Sequence, residues 1–306
     1  MTAKPLLAID VTKMLAGAQL PALPQSAIRL LELSQDPLNG PAEFAIPIES
    51  DPGLAGQVLR FVNSSYFGFS REISSVKLAI TLVGVRTIKN FALWSAVFSL
   101  MPNPRCGPFD LRSLWQDSLR RALFARALAK LLGVKEVEEV FSAALLQDMA
   151  VPLLAKELPD VYVKLLAARD NGRLRLSALE HRAFGWTHAE AAGIMARHWN
   201  LPEDFAVLIE RHLQADPGES SEVRDGRTIS VALSALLPTV ADPLWSEGPR
   251  LEALYERVRP ASAVPLSELL GQIDQEFAEF APVLKVALPK RTLADCYAEM
   301  AASASL

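Results

Sequence analysis

Apolar residues recur at intervals of three and four along nearly the whole chain, and this spacing is the strongest constraint on its fold. In the stretch 111–132 the leucines form a single stripe when they are placed on a helix. Asp110 lies where a helix cap belongs, and Gly133 lies where such a helix ends. Asp51 and Pro52 form another helix start signal. Since no segment shows sustained alternation of apolar and polar residues, the sequence predicts an all-α, multi-helical protein.

Two segments interrupt the helical pattern and divide the chain. The segment 101–110 contains three prolines and a glycine, which predicts a joint between helical units. The polar segment 214–227 predicts a surface loop. We therefore expect an N-terminal helical half over 1–105, a second helical half over 106–215 and a C-terminal helical extension over 216–306.

Two tetrapeptides match the capping box, SALE at 177–180 and THAE at 187–190. In a capping box the first side chain caps the helix, and the glutamate three residues later binds the backbone N–H at the cap. We therefore predict one helix that is capped by Ser177 and another that is capped by Thr187.

Composition excludes several classes of protein. Half of the 306 residues are apolar and 22% are charged, which is typical of a globular chain. The formal net charge of −4 gives no overall attraction to nucleic acid or to an anionic membrane. Cys106 and Cys296 form no metal-binding pattern, and the apolar run 91–102 is shorter than the ~20 residues that span a bilayer. We expect a cytoplasmic protein that binds neither nucleic acid nor membranes.

Motifs of common enzyme classes are absent from the sequence, which has no P-loop, no dinucleotide fingerprint and no G-x-S-x-G elbow. His188 and His198 lie on one predicted helix, ~15 Å apart and pointing ~80° away from each other, so they cannot share a metal ion. His181 can approach His188, but nothing in the sequence requires it. We expect His188 to be held by local hydrogen bonds in a first helical turn, and His198 and His212 to lie at helix ends.

The stretch ALLQDMAV (144–151) places two polar side chains, Gln147 and Asp148, after an apolar run. Asp117 lies on the largely apolar side of an earlier predicted helix. One interpretation is a Mg²⁺ site with oxygen ligands from Asp117 and Asp148, to which Gln147 could add a third. The other is that Asp148 accepts hydrogen bonds at a helix junction while Asp117 pairs with Arg121 four residues later. We favour the second, because no histidine accompanies the three oxygen side chains.

Three aromatic residues, Tyr66, Phe67 and Phe69, lie within four positions of a glycine-containing turn. So short a turn cannot direct all three into one helical core, and at least one is expected at a surface or at a seam between units. Exposed aromatic side chains beside charged ones are typical binding anchors. The three are therefore candidate partner-binding residues, although burial in the seam is the commoner fate of aromatic side chains.

Several uncommon strings in order resemble the HDOD family, the HD-related output domains of bacterial signalling proteins. The resemblance covers about residues 18–215 and implies an all-α fold with an N-terminal half and a degenerate HD-like half. The strings are DPGL (51–54), VNSSYFG (62–68), ISSVKLAITLVGVRTIKN (73–90), LWQDSLRRALFA, AALLQDMAV, WTHAEAAGIMARHWNLPE and IERHL.

The resemblance also implies which residues would hold a metal ion. In HD phosphohydrolases a histidine, a His-Asp pair and a later aspartate are the ligands. By position these become Asp117, then Gln147 with Asp148, then Ser234 or Ala235. Only Asp148 is retained, so the resemblance implies a pseudoenzyme with no catalytic residues, no metal and no cofactor.

The sequence thus predicts a non-catalytic regulatory protein of bacterial signal transduction. Its expected partners are other signalling proteins or a small ligand, and we expect a monomer or a homodimer. The alternative is a metal-dependent phosphohydrolase with an all-oxygen site at Asp117 and Asp148. DNA binding through the helix–glycine–helix outline of 73–94 is disfavoured, because apolar residues fill most of that segment.

Overall fold

The computed structural model describes residues 5–18, 20–65, 67–215, 225–282 and 286–304, and all regular secondary structure in these ranges is helical. The predicted all-α class is confirmed. None of the described helices combines the length and the apolar character that crossing a bilayer requires.

Six helices precede the proline-rich joint. They are α1 (Val11–Gly17), α2 (Gln25–Leu33), α3 (Pro41–Glu49), α4 (Pro52–Val62), α5 (Val76–Val83) and α6 (Val85–Leu100). Helix α3 packs against α2, α4 and α5, and α6 closes the group. Asp51 caps α4 as predicted, because its Oδ1 accepts a hydrogen bond from the Leu54 N–H at 3.0 Å.

The next seven helices begin with the long helix α7, on which α8 packs. They are α7 (Leu111–Leu131), α8 (Val137–Leu146), α9 (Ala150–Glu157), α10 (Pro159–Ala167), α11 (Leu176–Phe184), α12 (His188–His198) and α13 (Glu203–Glu210). Asp110 caps α7 by accepting from the N–H groups of Arg112 and Ser113, as predicted. Gly133 follows α7 with a φ of +71°, a left-handed conformation that suits a glycine at a helix end.

The C-terminal part adds α14 (Gly226–Ser234), α15 (Gly248–Val258), α16 (Leu266–Phe280) and α17 (Leu293–Ala304). Helix α14 packs on α7 and α8, and α16 also packs on α7. The ring centroid of Phe280 lies 5.9 Å from that of Phe61 and 6.2 Å from that of Phe141, so one side chain joins three parts of the chain. Most of the predicted loop 214–227 falls outside the described residues.

The prediction for the two capping boxes is half right. Thr187 opens α12, and its backbone N–H donates to Glu190 Oε2 at 2.5 Å, as a capping box requires. The predicted cap at Ser177 is wrong, because α11 begins at Leu176 and Ser177 lies inside the helix. Glu180 is fully buried and makes its hydrogen bonds to other helices.

Candidate functional site

A cleft lies beside the amino-terminal half of α7. One wall carries Arg169 and Arg175, and the other is formed by the segment that joins α14 to α15. The floor of the cleft contains Asp117, Arg121, Asp148, His188 and His212.

Asp148 follows α8 and is buried among cationic and aromatic nitrogen groups. Arg121 donates a hydrogen bond to its Oδ2, and the Nε2 atoms of His188 and His212 lie 3.2 Å and 3.7 Å from its Oδ1. Burial by itself would raise the pKa of Asp148, but the Arg121 guanidinium and His188 hold it well below its usual range. Asp148 is therefore ionised. The expectation that it accepts hydrogen bonds at a helix junction is confirmed.

His188, the first residue of α12, is held from both sides by carboxylates. Its Nδ1 lies 2.6 Å from Glu180 Oε2, and the other oxygen of Glu180 accepts a hydrogen bond from Tyr162 at 2.7 Å. Burial lowers the pKa of His188, but Glu180 and Asp148 together outweigh burial and raise it to about 9. His188 is thus an imidazolium at neutral pH.

His212 follows α13 and has no exposed surface. Its Nδ1 lies 2.6 Å from the carbonyl oxygen of Ile209, which can only accept, so Nδ1 carries the proton. Burial lowers its pKa to about 3. His212 is therefore neutral, and its Nε2 lone pair faces His188 Nε2 at 3.3 Å.

Asp117 is also buried, but its partner differs from the predicted one. Its Oδ1 accepts a hydrogen bond from the backbone N–H of Val240 at 2.8 Å, and burial raises its pKa to about 6. The predicted pair with Arg121 is replaced by the hydrogen bond from Arg121 to Asp148. The physical reason is tertiary packing, which brings a second buried carboxylate to Arg121 and a backbone donor to Asp117.

Gln147 is fully buried next to Asp148. Its Oε1 lies 3.4 Å from the Ser234 hydroxyl, and its Nε2 has no hydrogen-bond partner. The positions carried over from HD enzymes thus meet in space, with Asp117 and Asp148 in the cleft and Gln147 against Ser234.

The structure brings together a cluster of metal-ligand side chains that the sequence pattern does not indicate. Asp148, His188 and His212 each present one ligand atom, and these atoms lie within 4.8 Å of one another. His188 begins α12 and His212 follows the end of α13, as expected, but the hydrogen bonds of His188 go to Glu180 and Asp148 rather than to its own helical turn. His198 is the last residue of α12, as expected, and its side chain is exposed. Both clustered histidines lie within the strings WTHAE and IERHL, but no spacing rule connects residues 24 positions apart.

The donor set fits a divalent metal ion in type. Metal-binding histidines usually have their second ring nitrogen fixed by a carboxylate or a backbone carbonyl, as Glu180 and Ile209 do here. A metal ion would have to replace the proton on His188 Nε2 and lie near the Arg121 cation. The three side chains can therefore hold either a shared proton or a metal ion.

Neither Phe67 nor Phe69 of the aromatic turn is among the residues that line the cleft. Phe67 is half-buried, with its ring centroid 5.0 Å from that of Phe61 in an edge-to-face arrangement. Phe69 is 38% exposed and stacks on Phe67 with centroids 6.1 Å apart. Tyr66 lies outside the described residues. Partner binding by Tyr66, Phe67 and Phe69 stays a prediction.

A model of the HDOD domain family matches residues 20–215 of this chain. The chain belongs to the HDOD domain family. Among curated proteins, an uncharacterized protein of Treponema pallidum (strain Nichols) is 23% identical to this HDOD chain over 194 residues. The aligned region is 63% of this chain and 37% of that protein. The HDOD chain thus spans little more than a third of that relative's length.

Two solved structures resemble this HDOD chain in fold. An HDOD domain protein from Geobacter sulfurreducens has a TM-score of 0.70 at 22% identity, over 91% of this chain and 97% of that one. A candidate signal transduction protein from Marinobacter aquaeolei VT8 has a TM-score of 0.65 at 20% identity, over 97% of this chain and 66% of that one. Both share the all-helical fold of this chain.

Proposed function

We propose that this HDOD chain is a non-catalytic regulatory protein of bacterial signalling, which acts by binding a partner protein or a small ligand at the cleft. The observation that carries the proposal is the charge balance of the cleft floor. Arg121 neutralises Asp148, and the proton on His188 Nε2 lies between Asp148 Oδ1 and the lone pair of His212. Protons alone therefore satisfy the charges and the hydrogen bonds of this cluster, without a metal ion.

The replaced positions support the same proposal. Asp117 and Gln147 stand where the HD-type resemblance implies histidines, and Ser234 is one of the two positions where it implies an aspartate. Gln147 is fully buried against Ser234, and neither side chain is among the residues that line the cleft. A signalling role also fits the name of the Marinobacter protein, which resembles this chain in fold.

The test is a metal analysis joined to an activity assay. Protein purified without added metal is expected to contain far less than one transition-metal ion per chain and to hydrolyse neither nucleotides nor simple phosphoesters. About one Zn, Fe or Mn ion per chain would overturn the proposal. A light-scattering measurement on the same sample tests the expected monomer or homodimer.

The second candidate function is a metal-dependent phosphohydrolase, and the observation that favours it is the cluster of Asp148, His188 and His212. A metal ion bound there would act as a Lewis acid and lower the pKa of a bound water. Glu180 would orient His188 through Nδ1. This ligand set differs from the all-oxygen site expected at Asp117 and Asp148, because two of its three members are histidines.

Added Mn²⁺ or Zn²⁺ distinguishes the two candidates without an activity assay. A metal ion that binds at the cluster raises the Tm of the native protein and leaves the Tm of His188→Gln unchanged. His198→Gln is the matched control, since His198 is exposed and remote from the cluster. Equal responses of all three proteins would argue against a metal site.

A further inference from the structure

The segment that joins α14 to α15 closes one side of the cleft. We call residues 238–247 the strap. It has no helix of its own, and most of its residues line the cleft. The indole N–H of Trp245 donates to the carbonyl oxygen of Leu236 at 2.7 Å, so the strap folds back on its own base.

Polar contacts hold the strap to the rest of the protein. The Val240 N–H donates a hydrogen bond to Asp117. The Leu244 N–H donates to the carbonyl oxygen of Asn171 at 3.0 Å, and the Ser246 hydroxyl donates to the carbonyl oxygen of Gly172 at 2.7 Å. The side chain of Leu244 is 45% exposed, and that of Trp245 is partly buried against the hydrophobic core. Segments held by a few polar contacts open locally more readily than packed helices do.

The strap also neutralises two arginines of the cleft. Arg169 donates hydrogen bonds to Thr239 and to the carboxylate of Asp242. Arg175 lies 3.8 Å from the carboxylate of Glu247 and donates to the carbonyl oxygen of Ala235. Arginine recognises carboxylates through its planar set of N–H donors. In the closed state the strap is thus an acidic peptide bound to two arginines of its own chain.

The turn below the strap has an unusual backbone. Asp170, Asn171 and Gly172 have φ values of +48°, +57° and +97°, and residues other than glycine rarely adopt such conformations. A Cβ on Gly172 would collide with the carbonyl oxygen of Leu244 and lie 2.8 Å from the Cβ of Asp242. The strained turn therefore fits the closed strap, and a side chain at Gly172 would push the strap away.

We propose that the strap occupies, within its own chain, a docking site for an acidic peptide of a partner protein. The partner's carboxylates replace Asp242 at Arg169 and Glu247 at Arg175 when the strap opens. This inference rests on the proposed binding function of the cleft and names the chemistry of the partner. Because the strap is tethered beside its site, its effective concentration is high, and the free peptide competes poorly until the strap is loosened.

The experiment uses the strap's own sequence as the probe. A fluorescein-labelled peptide LPTVADPLWSEG (237–248) is titrated with the full chain at low salt, and fluorescence anisotropy reports binding. Two variants loosen the strap by loss of charge and leave its binding site unchanged: Asp242→Asn, which faces Arg169, and Glu247→Gln, which faces Arg175. Amide hydrogen exchange at Val240 and Leu244 verifies the opening.

Both opened variants are expected to bind the peptide at least about tenfold more tightly than the native chain does, since the native strap competes. Adding Arg169→Gln to either variant should abolish this gain in affinity for the peptide. Arg173→Gln is the matched control, because Arg173 is an exposed arginine that forms a surface ion pair with the nearby Asp170. A peptide with Asn and Gln in place of its two acids should not bind. Added salt should weaken the binding of the unsubstituted peptide.

Two results would overturn the proposal. One is fast exchange at Val240 and Leu244 in both variants with no peptide binding. The other is binding of inorganic phosphate, but not of the peptide, to the opened variants, which would assign the arginines to a small oxyanion. Neither result bears on the metal analysis, so a failure here is distinct from a failure of the proposed non-catalytic role.

Discussion

The Nε2 atoms of His188 and His212 lie 3.3 Å apart, although the two residues are 24 positions apart in the chain. Two lone pairs at this distance would repel each other, so one of the atoms must carry a proton or a cation must lie between them. His212 has its proton on Nδ1, facing the carbonyl oxygen of Ile209. In the absence of a metal ion, the shared proton therefore belongs to His188.

Because His188 is protonated in the folded chain, the stability of the fold decreases at alkaline pH. Its pKa in the folded chain is about 9, above the ordinary value of 6.5. The stabilisation is therefore fully present below pH 6.5 and is lost as the pH rises through 9. We expect the free energy of unfolding to fall by about 3 kcal/mol across this window. Urea unfolding at pH 6.5 and 9.5 measures the change, and an equal fall in His188→Gln would contradict it.

Removal of the Asp148 carboxylate is expected to cost stability. Asp148→Ala leaves the Arg121 and His188 cations buried without their shared anion, which should lower the free energy of unfolding by about 3–5 kcal/mol. Asp204→Ala removes an exposed carboxylate that pairs with Arg227, and it should leave the free energy nearly unchanged. Urea denaturation compares the two variants. Equal midpoints for Asp148→Ala and the native protein would show that Asp148 is not a structural anion.

Gln147 carries a buried amide nitrogen without an acceptor, a state that costs about 1–3 kcal/mol. Gln147→Met keeps the length of the side chain and removes this cost, so we expect unchanged or higher thermal stability. Gln116 is the matched control, because its buried Nε2 donates to the carbonyl oxygen of Ala287 at 2.7 Å. Gln116→Met should lower the Tm. A larger loss from Gln147→Met than from Gln116→Met would show that Gln147 has a function in the native state.

The two described aromatic residues of the 66–69 turn should respond differently to substitution. Phe67→Ala removes a half-buried ring that packs on Phe61, and it should lower the free energy of unfolding by about 1–3 kcal/mol. Phe69→Ala removes a more exposed ring, so it should retain the native Tm and lose partners that co-purify from cells. Retention of all partners by Phe69→Ala would place the docking surface elsewhere.

Features of the fold that depend on a few neighbouring residues could be predicted from the sequence. Asp51 and Asp110 cap their helices as expected, because a cap needs only a short side chain and the N–H groups of the next turn. Gly133 ends α7 for an equally local reason. The all-α class follows from many such signals, together with the spacing of apolar residues.

The candidate site could be predicted only in part, because its contacts are tertiary. Glu180 fits a capping pattern, but Tyr162 and His188 reach it from other helices and fix it in the interior. Arg121 could bond Asp117 at i−4, yet packing places the anion of Asp148 against it. Each of these local rules is correct in isolation, and each yields to a buried partner distant in sequence.

The packing of α14 and α16 on α7 has a consequence for how the chain is made. The family match ends at residue 215, before either helix begins. During translation α7 leaves the ribosome well ahead of both, so the faces of α7 that contact α14 and α16 stay uncovered until the C-terminal part follows. The nascent chain then exposes hydrophobic surface that chaperones bind. A gene fragment cut at the family boundary would keep the protein permanently in that state.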